Sequence, residues 1–199
     1  MRLNCIGLVD SKTTQLVANI TKDLSFRTNS LKALDFVPHF SIRNDFEIND
    51  QDIGALEKEL KSLISKYPPF ALNVSSFGSY PWKIIYLNID ESDTLNQLHR
   101  EIMNVIQKFR TPWVHPDLLT STNFQGQQLD YIKKYGYQFA FEFYSPHFTV
   151  AGNDMSDQSF IDVKEYIKDK IENIHCSVEK IVLLHRDGNS NNPLIEFSL

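Results

Sequence analysis

Glycine is scarce in this chain, with 7 in 199 residues, and no run of them forms a phosphate-cradling loop. Capture of a nucleotide by a glycine-rich turn at a helix N-terminus is therefore not expected. Cysteine is scarcer still. Cys5 and Cys176 form no spacing motif and lie in apolar stretches that read as buried strands, so reduced core thiols are expected. No Cys/His constellation suits a metal, and no metal or cofactor is expected. There is no apolar run of transmembrane length, and the opening "MRLNCIGLVDSK" is too short in apolar residues for a signal peptide. These absences point to a cytoplasmic protein with no membrane partner. Excess positive charge is also missing. Twenty Lys and Arg face 25 Asp and Glu, for a formal charge of −5. That argues against wide capture of long nucleic acid, and it leaves room for a small phosphate ester or an RNA end held by a few local groups. Aromatic residues, 12% of the chain, fall mostly at core-like positions and form no RNA-binding stripe.

What the chain does contain is a recurrence. "PHFSI" at 38–42 and "PHFTV" at 146–150 place a histidine, an aromatic, a hydroxyl residue and a β-branched residue after a proline, 108 residues apart. The surroundings recur as well. After a buried strand "LNCIGLV", the spacing of Leu16, Val17, Ile20 and Leu24 predicts a helix behind Ser11 as N-cap. "SFRTNSLKALD" reads as a loop and "FVPHFSIR" as a strand. Ile53 to Ile64 predicts a helix that ends before Pro68, followed by the strands "FALNVSSFG" and "WKIIYLNI" around a turn at 79–81. The pattern then restarts. Leu95 to Phe109 predicts a helix capped near Ser92 or Asp93. An intervening segment with a short helix over 127–135 follows, then the strand "YSPHFTVAG" and a helix marked by Phe160, Val163, Ile167, Ile171 and Ile174. The strands "SVEKIVLLHR" and "PLIEFSL" close the chain around "DGNSNN". Gly78 lies 39 residues after His39, and Gly188 lies 41 after His147. The reading is one domain over 1–199 with an internal repeat, about 11–90 and 91–199, and an additional strand over 1–10.

Strand alternation divides each motif between two faces. His39 and Ser41 share one face, and His147 and Thr149 share the corresponding one. Phe40, Ile42, Phe148 and Val150 point the other way, toward a core. If the repeats are related by a pseudo-two-fold axis, two imidazoles and two hydroxyls meet across a groove. Imidazole titrates near neutral pH, so one can serve as general base and the other as general acid. Two O–H donors suit the non-bridging oxygens of a phosphate and the charge that builds there in the transition state. The set fits in-line displacement at a phosphodiester without metal.

At these residues the chain resembles the two-histidine (2H) phosphoesterase superfamily, whose hallmark is a pair of motifs of histidine, any residue, Ser or Thr, then an apolar residue. "HFSI" and "HFTV" fit that pattern. The superfamily includes LigT-like RNA ligases and cyclic phosphodiesterases, plant cyclic phosphodiesterases, the trimming enzyme of U6 RNA and viral 2′-5′ oligoadenylate phosphodiesterases. "PFALNVSSFGSYPWKIIYLNI" is similar to the hairpin after the first motif. The stretch "FRTPWVHPDLL…YIKKYGYQFAFEFYSPHFTVAG" resembles an uncharacterised branch linked with phosphonate-utilisation genes. In this chain "YGYQ" replaces that branch's "GYP"-like strand and Ser41 replaces Thr, keeping the hydroxyl. The resemblance implies an α+β, bilobal fold with two antiparallel sheets in pseudo-two-fold arrangement around a central cleft and helices outside. It implies His39 and His147 as the acid–base pair, with Ser41 and Thr149 as phosphate ligands.

Among the remaining histidines, His99 reads as a solvated residue of its helix and His175 as surface, while His185 ends a strand near a turn. Trp113 and His115 lie in the intervening segment, where Trp113 reads as packing, with base stacking or a cover over the cleft as its functional alternatives. Alternation puts Tyr144 on the face away from His147. The implied substrate is a nucleotide, an RNA terminus or a small cyclic phosphate. A module that binds a phosphorylated metabolite without turnover, and an RNA end-joining enzyme, remain as alternatives, and the oligomeric state is not legible.

Overall fold

Alternation of buried and open side chains marks the strands, and it is cleanest in the strand over Ile84–Ile89. The computed structural model describes residues 1–168, 173–188 and 190–199. In chain order these form β1 (Arg2–Val9), α1 (Ser11–Thr28), β2 (Phe40–Glu47), α2 (Ile53–Ile64), β3 (Phe70–Tyr80), β4 (Ile84–Ile89) and α3 (Asp93–Phe109). There follow α4 (Pro116–Thr120), α5 (Gly126–Tyr135), β5 (His147–Ala151), α6 (Asp157–Lys168), β6 (Ile174–Asp187) and β7 (Ser190–Ser198). After β1 the order α, β, α, β, β runs twice, with α4 and α5 inserted before β5.

The strands pair antiparallel in the order β1-β2-β5-β4-β3-β6-β7, and β1 also pairs with β6. Six strands therefore close into a ring, with β7 outside it on β6. The sheet has two lobes, β1, β2, β6 and β7 against β3, β4 and β5. The first five residues of β6, beside β3, join them on one side. A single pair, Phe40 and Phe148, joins them on the other. The helices cover the outer face, where Phe40, Ile42, Phe148 and Val150 meet Leu56, Leu60, Leu98, Ile102, Val163 and Ile167 in one core. This is the α+β arrangement of antiparallel strands around a cleft, with helices outside. No described helix is long and apolar enough to cross a membrane.

Three local readings are corrected. The N-cap of α1 is Asp10 rather than Ser11, because its carboxylate accepts from the Thr13 N–H at 2.9 Å. That carboxylate also accepts from the Ser177 N–H at 2.9 Å, tying the helix start to β6. Four residues of the expected loop "SFRTNSLKALD" continue α1 instead. Leu24, Ser25 and Thr28 extend its buried stripe, the Thr28 hydroxyl bonds back to the Leu24 carbonyl, and the helix stops at Asn29 in the left-handed region, φ 57°. Ile174 opens β6 rather than closing α6, and Ile171 lies outside the described residues, as does Asn189 in the final turn. Cys5 and Cys176 are free and buried, and burial pushes their thiols up to about 12 and about 11.

Candidate active site

The Phe40–Phe148 pair sets the geometry of the motifs. In an antiparallel ladder with these two opposite each other, His39 falls across from Thr149 and Ser41 across from His147. The imidazoles then occupy one diagonal of a four-cornered patch and the hydroxyls the other. Diagonal neighbours on such a face are about 7–8 Å apart, enough to place one small tetrahedral group between them. The floor under the patch is apolar. Phe40, Ile42, Phe148 and Val150 have no exposed surface, and the two phenyl rings meet edge to face at 6.1 Å. Gly7 on β1 makes that floor fit, since a Cβ there would lie 2.1 Å from the Phe40 ring.

Both histidines are held the same way. His39 Nδ1 lies 2.8 Å from the Val37 carbonyl and His147 Nδ1 lies 2.8 Å from the Ser145 carbonyl. A carbonyl oxygen only accepts, so each Nδ1 carries the proton and each Nε2 keeps a lone pair. The two rings thus present matched nitrogens, each two residues beyond its anchoring carbonyl. Burial lowers both pKa values from the ordinary 6.5, and the carbonyl contacts oppose the shift. The charge on His39 lowers His147 further, so the pair resists double protonation. Ser41 is half-buried and Thr149 exposed. Neither hydroxyl bonds to another described group.

Around His147 stands an aromatic wall that the sequence reading did not single out. Tyr86 lies opposite Thr149 on β4, with its ring 4.6 Å from that of His147. Tyr80 at 5.7 Å and Phe139 at 6.4 Å complete the wall, and Trp82 stacks on Tyr80 at 4.7 Å. The signal was present in the alternation of β4, where Ile85, Leu87 and Ile89 are buried and Tyr86 and Asn88 face the cleft. Gly78 leaves room for Tyr86, because a Cβ at 78 would sit 2.5 Å from its ring. On the opposite lip, Phe36 stands 6.4 Å from His39.

His99 overturns its expected solvated position. It is fully buried, and burial lowers its pKa to about 4. Nδ1 donates to the Ile42 carbonyl at 3.0 Å, and Nε2 accepts the Phe141 N–H at 3.1 Å. The ring stacks on Tyr144 at 3.8 Å, and the Tyr144 hydroxyl donates to the Ser41 carbonyl at 3.1 Å. Two consecutive carbonyls of β2, just past its pairing with β5, are therefore taken by side chains. Tyr144 precedes β5, so strand alternation did not apply to it. Arg43, also fully buried, donates to the carbonyls of Tyr135 and Gly136 and pins the insertion to the same strand.

The other histidines lie elsewhere. His175 is exposed on Asn73, and His185 stands opposite Leu3, on the face away from the cleft. Trp113 packs against the Arg2 guanidinium at 4.4 Å, with His115 edge-on at 5.9 Å. A hollow of about 410 Å³ beside Asp90, Arg100, Glu142 and Ser145 is lined by none of the four motif residues.

Comparison with known proteins places the chain in a family. A Geobacillus thermodenitrificans protein named "Putative phosphoesterase" is 28% identical over 190 residues, covering 94% of this chain and 89% of its own length. A like-named Geobacillus kaustophilus protein is 27% identical over 158 residues, covering 77% and 73%. Among solved structures, Escherichia coli LigT complexed with 3′-AMP superimposes with a TM-score of 0.55 at 12% identity, over 100% of this chain and 97% of its own. A Thermus thermophilus protein does so at 0.57 and 13%, over 100% and 98%. These last two likenesses concern the fold alone. The model of the 2′-5′ RNA ligase superfamily matches residues 25–190. The chain belongs to the 2′-5′ RNA ligase superfamily, the two-histidine proteins that its motifs resemble.

Proposed function

We propose that the protein is a metal-independent phosphoesterase that opens a cyclic phosphate or cleaves a 2′-linked phosphodiester of a nucleotide, RNA end or small molecule. The observation that carries this reading is the matched tautomer of His39 and His147. Each ring donates through Nδ1 to a carbonyl two residues earlier, and Nε2 is left for chemistry. One Nε2 takes the proton of an attacking water or ribose hydroxyl. The other, protonated, gives its proton to the departing oxygen. The two roles exchange with reaction direction. Charge on His39 lowers the pKa of His147, so the pair takes up one proton more readily than two. Ser41 and Thr149, on the other diagonal, donate to the non-bridging oxygens as charge accumulates. The names of the relatives and the family match agree with phosphoester chemistry.

The test is a panel of 2′,3′-cyclic nucleotides, 2′-5′ oligoadenylate, cyclic dinucleotides and cyclic ribose phosphates, with the double histidine variant as blank. His39→Ala and His147→Ala are each expected to lower kcat by at least about 100-fold, the lower range for loss of one acid–base group. Their melting temperatures should stay near that of the parent. Wild-type turnover in either variant refutes the reading. Tight binding without product in the parent would instead favour a binding module.

A further inference from the structure

β1 carries the cleft face away from the motifs. Ile6 stands opposite Ser41 of β2 and opposite Val182 of β6. Four residues back, Arg2 stands opposite Glu47, and the pairing of Leu3 with His185 brings Arg2 beside Arg186. At about 3.3 Å per residue the two rows are about 13 Å apart along the strand. In the far row Asp45 Oδ1 accepts from Arg2 Nε at 3.1 Å and Nη2 at 2.6 Å, and Oδ2 accepts from Arg2 Nη2 at 2.6 Å and Arg186 Nη1 at 2.8 Å. His115 Nδ1 accepts the Asp117 N–H, so its proton sits on Nε2, 3.8 Å from the same Asp45 oxygen. The Trp113 ring backs the Arg2 guanidinium.

This cluster is unbalanced. One carboxylate pairs directly with two guanidiniums, so neither cation has a carboxylate to itself. Arg2 Nη1 and Arg186 Nη2 have no acceptor among the described residues, and both side chains are about a third exposed. Glu47, the neighbouring acid, is turned to the Thr111 hydroxyl. Asp45 fixes the two planar groups, and their free N–H edges suit a phosphate.

We propose that Arg2 and Arg186, buttressed by Asp45 and Trp113, form a second phosphate subsite. The preferred substrate is then a short oligonucleotide end long enough to reach both rows. A lone cyclic sugar phosphate is too small to reach both rows. The inference rests on the phosphoesterase reading of the histidine pair, and its test does not depend on turnover. Binding of a 5′-labelled RNA trinucleotide ending in a 3′-phosphate is measured by fluorescence anisotropy across a salt series, with unlabelled 3′-AMP as competitor. Arg186→Gln is expected to weaken trinucleotide binding about tenfold and to flatten the salt dependence by close to one phosphate contact, while 3′-AMP binding is unchanged. Asp45→Asn removes the negative charge, keeps an acceptor, and suits the left-handed φ of 51° at that position. It is expected to tighten trinucleotide binding. A cluster that only staples strands predicts the opposite for Asp45→Asn, a weaker or unchanged affinity. That outcome, or equal binding by Arg186→Gln and the parent, overturns the subsite. Failure of the histidine variants to lose turnover would overturn the catalytic reading separately.

Discussion

Acidification should destabilise this protein through His99. The ring is buried and neutral, gripped between the Ile42 carbonyl and the Phe141 N–H, with its pKa lowered to about 4. In the unfolded chain an ordinary histidine titrates near 6.5. The unfolded state therefore binds the proton first, and stability falls as pH drops from about 6.5 to about 4, then levels off. A folded value of about 4 against 6.5 corresponds to about 3 kcal/mol over the whole window, of which about 2.5 kcal/mol is lost by pH 4.5. Urea unfolding at pH 7.5 and 4.5, in the parent and in His99→Gln, measures it. Gln retains a donor and an acceptor but does not titrate. The parent should lose about 2.5 kcal/mol more than the variant between the two pH values. Contributions from His39 and His147 are common to both proteins and cancel in the difference. A pH dependence equal in the two, within about 0.5 kcal/mol, refutes the buried neutral latch.

Four further outcomes are expected. The pH profile of kcat/KM should be a bell centred below pH 6.5, because burial lowers both motif histidines, and EDTA should leave the rate unchanged. Gly78→Ala should push the Tyr86 ring off its seat and change KM and kcat together while costing about 1–3 kcal/mol of stability, read from thermal melts and steady-state rates. Asp10→Ala should cost about 1–2 kcal/mol, since it removes both the α1 cap and the acceptor for the Ser177 N–H. Cys5 and Cys176 should resist a water-soluble disulfide reagent at pH 8 until denaturant is added, because burial keeps both as thiols.

The motif pair, the strands and the outward helices were legible because alternation and helical spacing are local. Phe40 and Phe148 could be assigned to the core from their positions within a tetrapeptide. Helical spacing alone puts His99 on the buried stripe with Leu95, Leu98 and Ile102, and its polar residue type led to the opposite reading. A polar residue there is tolerated only through acceptors and donors on β2 and the insertion, far away in sequence. The same holds for Asp10. Ser11 and Asp10 both have the residue type of a cap, and the Asp10 carboxylate takes the Thr13 N–H while also holding a β6 amide 167 residues away. The Arg2–Asp45–Arg186 cluster spans three strands and has no signature along the chain.

The latch also explains why a cleft exists at all. A ladder continued past Phe40 and Phe148 would zip β2 to β5 along their length and close the gap between the strands. Instead the Ser41 carbonyl is taken by Tyr144 and the Ile42 carbonyl by His99, so pairing ends after one residue pair without stranding a buried acceptor. Meanwhile the hairpins exchange partners. β4, from the first half of the chain, pairs with β5, while β6, from the second half, reaches β2 through β1. Each histidine strand is thus braced by the other half's hairpin while the two touch each other at a single point. The ring is closed elsewhere, so that point stays open without the lobes drifting apart. A fixed gap of this kind suits the proposed mechanism, in which the two imidazoles would reach opposite ends of one phosphorus centre.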